Sequence, residues 1–118
     1  MYTYKAKLLK VIDGDTIDVK IDLGFRVYTK TRLRLYGINT PETRTKNLEE
    51  KKAGLKAKQF VEDALLNKEF KVEVFKQPGK FGRWLACIHI KEDNGLYFCL
   101  NEKLVEKRLA KKYYGGKR

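Results

Sequence analysis

The sequence predicts a mainly β fold with two helices, built as a five-stranded Greek-key barrel. Two adjacent stretches alternate apolar and polar residues with the two-residue period of half-buried strands. One later stretch switches to helical periodicity. Turn residues then divide the remainder into short strands ahead of a final helix.

A first strand, about Tyr4 to Ile12, has the noisiest pattern. Thr16 to Leu23 alternates cleanly, with Ile17, Val19, Ile21 and Leu23 on one face and Asp18, Lys20 and Asp22 on the other. Gly24 turns the chain into a third strand, where Val27, Thr29, Thr31, Leu33 and Leu35 oppose Arg26, Tyr28, Lys30, Arg32 and Arg34. Pro41 ends it, having no N–H to pair and restricting the residue before it. Thr43 to Glu50 reads as a mobile polar loop. From Lys52 to Leu66, residues Ala53, Ala57, Phe60, Val61, Ala64 and Leu65 form one apolar helical stripe. Phe70, Val72 and Val74 begin a further strand, Gln77-Pro78-Gly79 is a turn, and Arg83 to Ile90 is a strand burying Ala86, Ile88 and Ile90. Trp84 reads as cover for the core. Asp93-Asn94-Gly95 closes a hairpin onto Leu96 to Leu100. Asn101 can cap a last helix carrying Leu104, Val105 and Leu109. This order of elements fits a barrel of the OB type.

At 118 residues the chain is read as a single domain, 1–118, large enough to bury a modest core. Its 27 basic and 15 acidic residues leave a net charge of +12. That excess favours a polyanionic partner, of which nucleic acid is the usual one. No apolar run approaches a membrane-spanning length. The N-terminus enters strand-like sequence directly, which reads as a cytoplasmic protein or the mature form of a secreted one. Two cysteines, Cys87 and Cys99, are too few for a disulfide scaffold and lie in no Cys-x-x-Cys or Cys/His cluster. They read as reduced, partly buried thiols able to face each other across one hairpin. His89, the single histidine, lies in a strand and is given no catalytic role.

Three segments carry chemistry. The most informative is Arg34-Leu35-Tyr36-Gly37-Ile38-Asn39-Thr40-Pro41-Glu42, where a basic strand runs into a polar turn. Arginine is a fixed-charge fork suited to phosphate oxygens. Asparagine, a main-chain carbonyl and a carboxylate are hard oxygen donors suited to Ca²⁺ or Mg²⁺. Upstream lies Ile12-Asp13-Gly14-Asp15-Thr16, and downstream Lys80-Phe81-Gly82-Arg83. Taken singly, each has a plainer reading: Arg34 as an exposed strand residue like Arg32, Asp15 as a turn residue beside Gly14, and Glu42 as a surface carboxylate. Asp13 reads as a turn-former or as a residue touching a metal site through water.

In this order, with the tail Leu100-Asn101-Glu102, Leu104-Val105 and Leu109-Ala110, the chain resembles the staphylococcal nuclease family from about Lys10 to Tyr114. The resemblance implies a nuclease of broad sequence preference acting on DNA, RNA or both. It further implies dependence on Ca²⁺, with Mg²⁺ as the alternative, 3′-phosphate product ends and a monomeric protein. It assigns Asp15, Asn39 and the Thr40 carbonyl to the metal, Glu42 to the attacking water, and Arg34 and Arg83 to the phosphate. Lys80, Phe81 and Tyr114 match positions that contact the nucleotide, with Tyr113 able to substitute for Tyr114 after a one-residue shift. Three departures stand out. Asn39 replaces the family's usual Asp, Phe81 lacks a hydroxyl common there, and the Lys76–Lys80 loop is shortened, with Gly79 where an acidic residue often precedes the lysine. The competing expectation is a catalytically silent OB module that binds nucleic acid or protein. Such a copy would be expected to lack Arg34, Glu42 or Arg83, and all three are present.

Overall fold

The computed structural model describes residues 2–76 and 84–113. Strands β1 (Tyr2–Asp13), β2 (Thr16–Asp22) and β3 (Tyr28–Leu35) form an antiparallel meander. A two-residue strand β4 (Ile38–Asn39) and helix α1 (Leu48–Leu65) lead to β5 (Glu69–Lys76) and β6 (Trp84–Lys91). Then follow β7 (Tyr97–Cys99), α2 (Leu100–Glu106) and β8 (Lys111–Lys112).

The sheet runs β3-β2-β1-β5-β6 and closes on itself where β3 and β6 pair in parallel, Leu33 with Trp84 and Leu35 with Ala86. The first half of β6 makes this closure, while its last residues, His89 to Lys91, pair with β7. The result is the five-stranded OB-type barrel that the sequence predicts. Its interior is filled by Ile17, Val19, Leu33, Leu35, Val72, Ala86 and Ile88, with Val61 and Leu65 of α1 and Leu100 and Leu104 of α2 joining the same core. Closure removes the open edges that a flat sheet would leave.

The departures from the sequence pattern have local causes. In β1 the register slips between Leu8 and Lys10 and again between Val11 and Asp13. These bulges turn Ala6 and Val11 to the same interior although they are an odd number of residues apart, hence the noisy alternation. Leu23 and Val27 keep the apolar alternation but are about half exposed, because the β2–β3 hairpin runs on past the end of the core. Trp84 is likewise 39% exposed rather than covering core.

Helix α1 begins at Leu48, inside the stretch expected to be loop. Asn47 caps it by accepting from the Glu49 and Glu50 amides, and both glutamates favour the positive end of the helix. Ala53 is exposed, and the buried stripe is Gly54, Ala57, Val61 and Leu65.

Asn101 is not the cap of α2, whose cap position is Cys99. It lies buried inside the first turn, accepting from the Ile88 amide at 3.1 Å and donating to the Tyr36 and Ala86 carbonyls at 2.9 and 3.0 Å. One carboxamide thus satisfies three main-chain groups at the seam where β3 meets β6. Leu109 follows the end of α2 and packs against the core from the turn beyond it.

Candidate functional site

The site is assembled where β1 turns into β2, beside the end of β3. Arg34 stands directly opposite Thr16, so its side chain rises next to the turn that carries Asp15. Its Nη1 lies 2.9 Å from Asp15 Oδ2, and its Nη2 donates to Asn39 Oδ1. Asp15 Oδ2 also accepts the Thr40 amide at 3.0 Å, and Oδ1 accepts the Thr16 hydroxyl at 3.0 Å. The Asp15 carbonyl receives the Leu35 amide at 2.8 Å, fixing the turn to β3. Asp15 and Thr40 are buried, and the Arg34 side chain is only 20% exposed. Four of the sequence-predicted residues therefore converge: Asp15, Arg34, Asn39 and Thr40.

Arg32, two positions earlier on the same strand face, has another use. It forms a fork on Asp18, with Nε at 2.8 Å and Nη2 at 3.3 Å, and is 62% exposed. The Arg32 guanidinium beside Asp18 holds that carboxyl below its ordinary range. The two arginines differ in what they touch: one is committed to a surface carboxylate, the other is turned into the site.

The loop after Asn39 is clamped at several points. Asp13 Oδ1 accepts both the amide and the hydroxyl of Thr43, at 3.3 and 2.6 Å. Asp13 thus ties the far side of the loop back to β1. Glu50 of α1 accepts the Glu42 amide at 3.5 Å and the Thr45 hydroxyl at 3.4 Å. Glu42 itself stands exposed on this clamped loop, two residues beyond Thr40.

Two glycines permit the close packing. A methyl group at Gly14 would sit 2.8 Å from Ala57 Cβ and 2.9 Å from Thr40 Cγ2. One at Gly54 would lie 2.6 Å from the Glu42 carbonyl oxygen and 2.8 Å from that of Pro41. Gly54 has no polar chemistry, and the only sequence signal for it is a glycine placed mid-helix against helix propensity. The C-terminal segment carries no sequence signal for the strand it forms. Pairing of β4 with β8 places Lys111 opposite Asn39 and Lys112 opposite Ile38, and the Tyr113 amide donates to the Gly37 carbonyl at 2.8 Å. Tyr113 therefore follows a strand, not a helix. Arg83, Lys80, Phe81 and Tyr114, with the Gln77-Pro78-Gly79 turn, lie outside the described residues.

The donor set is one carboxylate, one carboxamide and the Thr40 backbone, all hard oxygen ligands. Among the described residues no group of three or more His, Cys, Asp or Glu side chains could hold a metal ion. The Thr40 hydroxyl is buried with no hydrogen-bond partner. Oxygen donors around one carboxylate, with an unpaired buried hydroxyl beside them, have the ligand chemistry of a hard divalent cation, although Arg34 engages both the Asp15 carboxylate and the Asn39 amide oxygen here.

Comparison with known proteins gives a consistent result. The family model described as staphylococcal nuclease homologue matches residues 32–118. A thermonuclease of Staphylococcus hyicus is 34% identical over 110 residues, 92% of this chain and 59% of its own length. A thermonuclease of Staphylococcus intermedius is 34% identical over 107 residues, 89% of this chain and 58% of its own. An uncharacterized protein of Methanocaldococcus jannaschii is 35% identical over 132 aligned residues, 93% of this chain and 59% of its own. The chain spans about three fifths of the length of these relatives.

Proposed function

The chain belongs to the staphylococcal nuclease homologue family, and from that premise we propose that it is a divalent-metal-dependent nuclease. Its substrates are DNA, RNA or both, cut with broad sequence preference to leave 3′-phosphate ends. The observation that carries this reading is Arg34, held at the mouth of the site between Asp15 and Asn39 with its guanidinium beside hard oxygen donors. The relatives named thermonuclease support the same reaction class.

Asp15, Asn39 and the Thr40 carbonyl would hold Ca²⁺, with Mg²⁺ as the alternative; when bound, the ion supplies Lewis-acid polarisation of a phosphoryl oxygen. The remaining chemistry belongs to side chains. Glu42 takes a proton from the attacking water as its oxygen bonds to phosphorus. The bond to the 5′-oxygen breaks on the opposite side, and that oxygen is protonated by solvent. Arg34, with Arg83 by its position in the family motif, balances the charge that accumulates on the phosphoryl oxygens. Asp13, Glu50 and Gly54 fix the loop bearing Glu42, which limits the motion that would misplace the base. Lys80, Phe81 and Tyr114 are assigned to the substrate's phosphate and base.

The test is to incubate the protein with single-stranded DNA or RNA in Ca²⁺, Mg²⁺ or EDTA and identify the product ends. Cleavage should require metal and yield 3′-phosphates. Arg34→Ala, Glu42→Ala and Arg83→Ala should each lower kcat by about 10²-fold or more while the far-ultraviolet spectrum is unchanged. Full activity in EDTA, or wild-type rates in all three variants, overturns the assignment. Tight binding with no cleavage in any metal would point to a silent OB module.

A further inference from the structure

The outer face of the β1-β2-β3 meander carries a feature that the proposed chemistry does not use. Strand register sets Lys7 directly opposite Lys20, and Lys20 directly opposite Lys30. All three are exposed. Glu69 of β5 stands opposite Lys7 on its other side, but among the described residues none of the three lysines has a carboxylate within ion-pair distance. Like charges directly opposite on neighbouring strands oppose folding. The adjacent row shows that the sheet can do otherwise: there Arg32 faces Asp18, and Asp18 faces Lys10, with alternating sign. Lys20, with a lysine on either side, therefore costs stability that Asp18 in the neighbouring row does not.

The same face continues at both ends. Lys30, Arg32 and Arg34 are alternate residues of β3, so the row lies four residues, roughly 14 Å, from the candidate site. In the other direction Lys20 Nζ sits 4.4 Å from the Tyr28 ring centre, and the strand leads to the β2–β3 hairpin tip. There Phe25 and Arg26 adopt φ values of 55° and 62°, and Phe25 is fully exposed. Left-handed backbone costs roughly 1–2 kcal/mol for a residue with a Cβ. A bare phenyl ring in such a turn stabilises nothing within the described structure.

We propose that Lys7, Lys20 and Lys30 form an exosite that grips the backbone of a single-stranded nucleic acid, with the hairpin's aromatic rings stacking on its unpaired bases. Positive charge not committed to an ion pair matches the phosphate chain, and exposed rings favour bases that are not already paired. The inference rests on the nuclease reading, to which it adds substrate class: long single strands should be bound across this face and delivered to Arg34.

The test is binding, not cleavage, so a catalytically inactive protein still answers it. Fluorescence anisotropy in EDTA would follow a long labelled single strand and a labelled trinucleotide across a salt series. The variant replaces the row (Lys7→Gln, Lys20→Gln, Lys30→Gln). The control replaces three exposed lysines of α1 (Lys51→Gln, Lys52→Gln, Lys56→Gln) and so matches the net-charge change. For the row variant, affinity for the long strand should fall at least tenfold. The slope of log K against log salt should shrink by about 2, from three contacts of ~0.7 each. Trinucleotide affinity should stay constant, and the thermal midpoint should hold or rise. Phe25→Gly should weaken single-strand binding about tenfold. An unchanged salt slope, an equal loss in the α1 control, or tighter wild-type binding of duplex than of single strand overturns the exosite. Cleavage that fails while these binding results hold sinks the nuclease reading alone.

Discussion

At position 39 an amide stands where the family usually places a carboxylate, and in the structure its oxygen already accepts from Arg34. Replacing it with Asp adds a negative charge without changing size, and that charge is shared between Arg34 and any cation. Asn39→Asp should raise apparent Ca²⁺ affinity by about tenfold, equivalent to ~1.4 kcal/mol. Asn39→Leu deletes the donor and should weaken it. Calcium titration read by intrinsic fluorescence decides the matter, since equal affinities across all three proteins remove Asn39 from the metal set. A second prediction concerns the thiols, which lie half-buried on β6 and β7. A hydrogen bond from Cys87, with the first amides of α2, lowers the Cys99 pKa to about 6, against the opposing effect of burial. The same pairing pushes Cys87 upward. A thiol in the unfolded chain titrates near ~8.5. Ionised Cys99 thus adds stability that is lost as pH falls through about 6, while the raised Cys87 pKa takes stability away as pH climbs past about 8.5. Iodoacetamide should modify Cys99 with a midpoint near pH 6, and Cys87→Ala should move that midpoint upward. A midpoint near pH 8.5 in the wild type would contradict the pairing.

Among the elements, α1 shows how the barrel holds the loop that carries Glu42. Gly54 is a poor helix residue, and Ala there would ordinarily gain about 1 kcal/mol. Its methyl would meet main-chain oxygens of Pro41 and Glu42 rather than the end of a flexible side chain. Gly54→Ala should therefore destabilise by ~1–3 kcal/mol and lower activity through a displaced loop. Urea denaturation checks the sign, with Ala53→Gly at the neighbouring exposed position as the propensity control; a stabilised Gly54→Ala would show that the loop yields freely. The same helix marks the limit of sequence reading. Period and composition reveal which residues are apolar and recurrent, so the strands around Ile17–Ile21 and the stripe at Ala57, Val61 and Leu65 were legible. They do not report what backbone lies opposite, so periodicity alone passes over Gly54 and includes Ala53. The bulges of β1 and the buried crosslink by Asn101 escaped for the same reason: each is defined by a partner distant in sequence. In the sequence only the spacing to Asn39-Thr40-Pro41-Glu42 separates Arg34 from Arg32; the structure adds the physical difference, Asp15 beside one and Asp18 beside the other.

The whole molecule is governed by its excess of positive charge, +12 over 118 residues. Such a charge has two consequences that salt moves in opposite directions. Held on one compact barrel, the cations repel one another and destabilise the folded state. Raising salt shortens the screening length to about 10 Å at 0.1 M and weakens that repulsion. The Arg34–Asp15 contact, mostly shielded from solvent, is screened less, so the site should not loosen in parallel. Toward a polyanion the effect reverses, because binding releases counterions and each phosphate contact is lost more readily as salt rises. Between about 0.02 and 0.15 M NaCl the thermal midpoint of the free protein should therefore rise while its affinity for single-stranded DNA falls, by roughly 5 × 10³-fold if six phosphates are engaged. Calorimetry and anisotropy on the same preparation test both limbs. A midpoint that drops over this range would mean that favourable surface pairs such as Arg32–Asp18 outweigh the net repulsion. The charge excess would then be distributed too widely to act as a single field, and the binding limb would have to rest on local clusters instead.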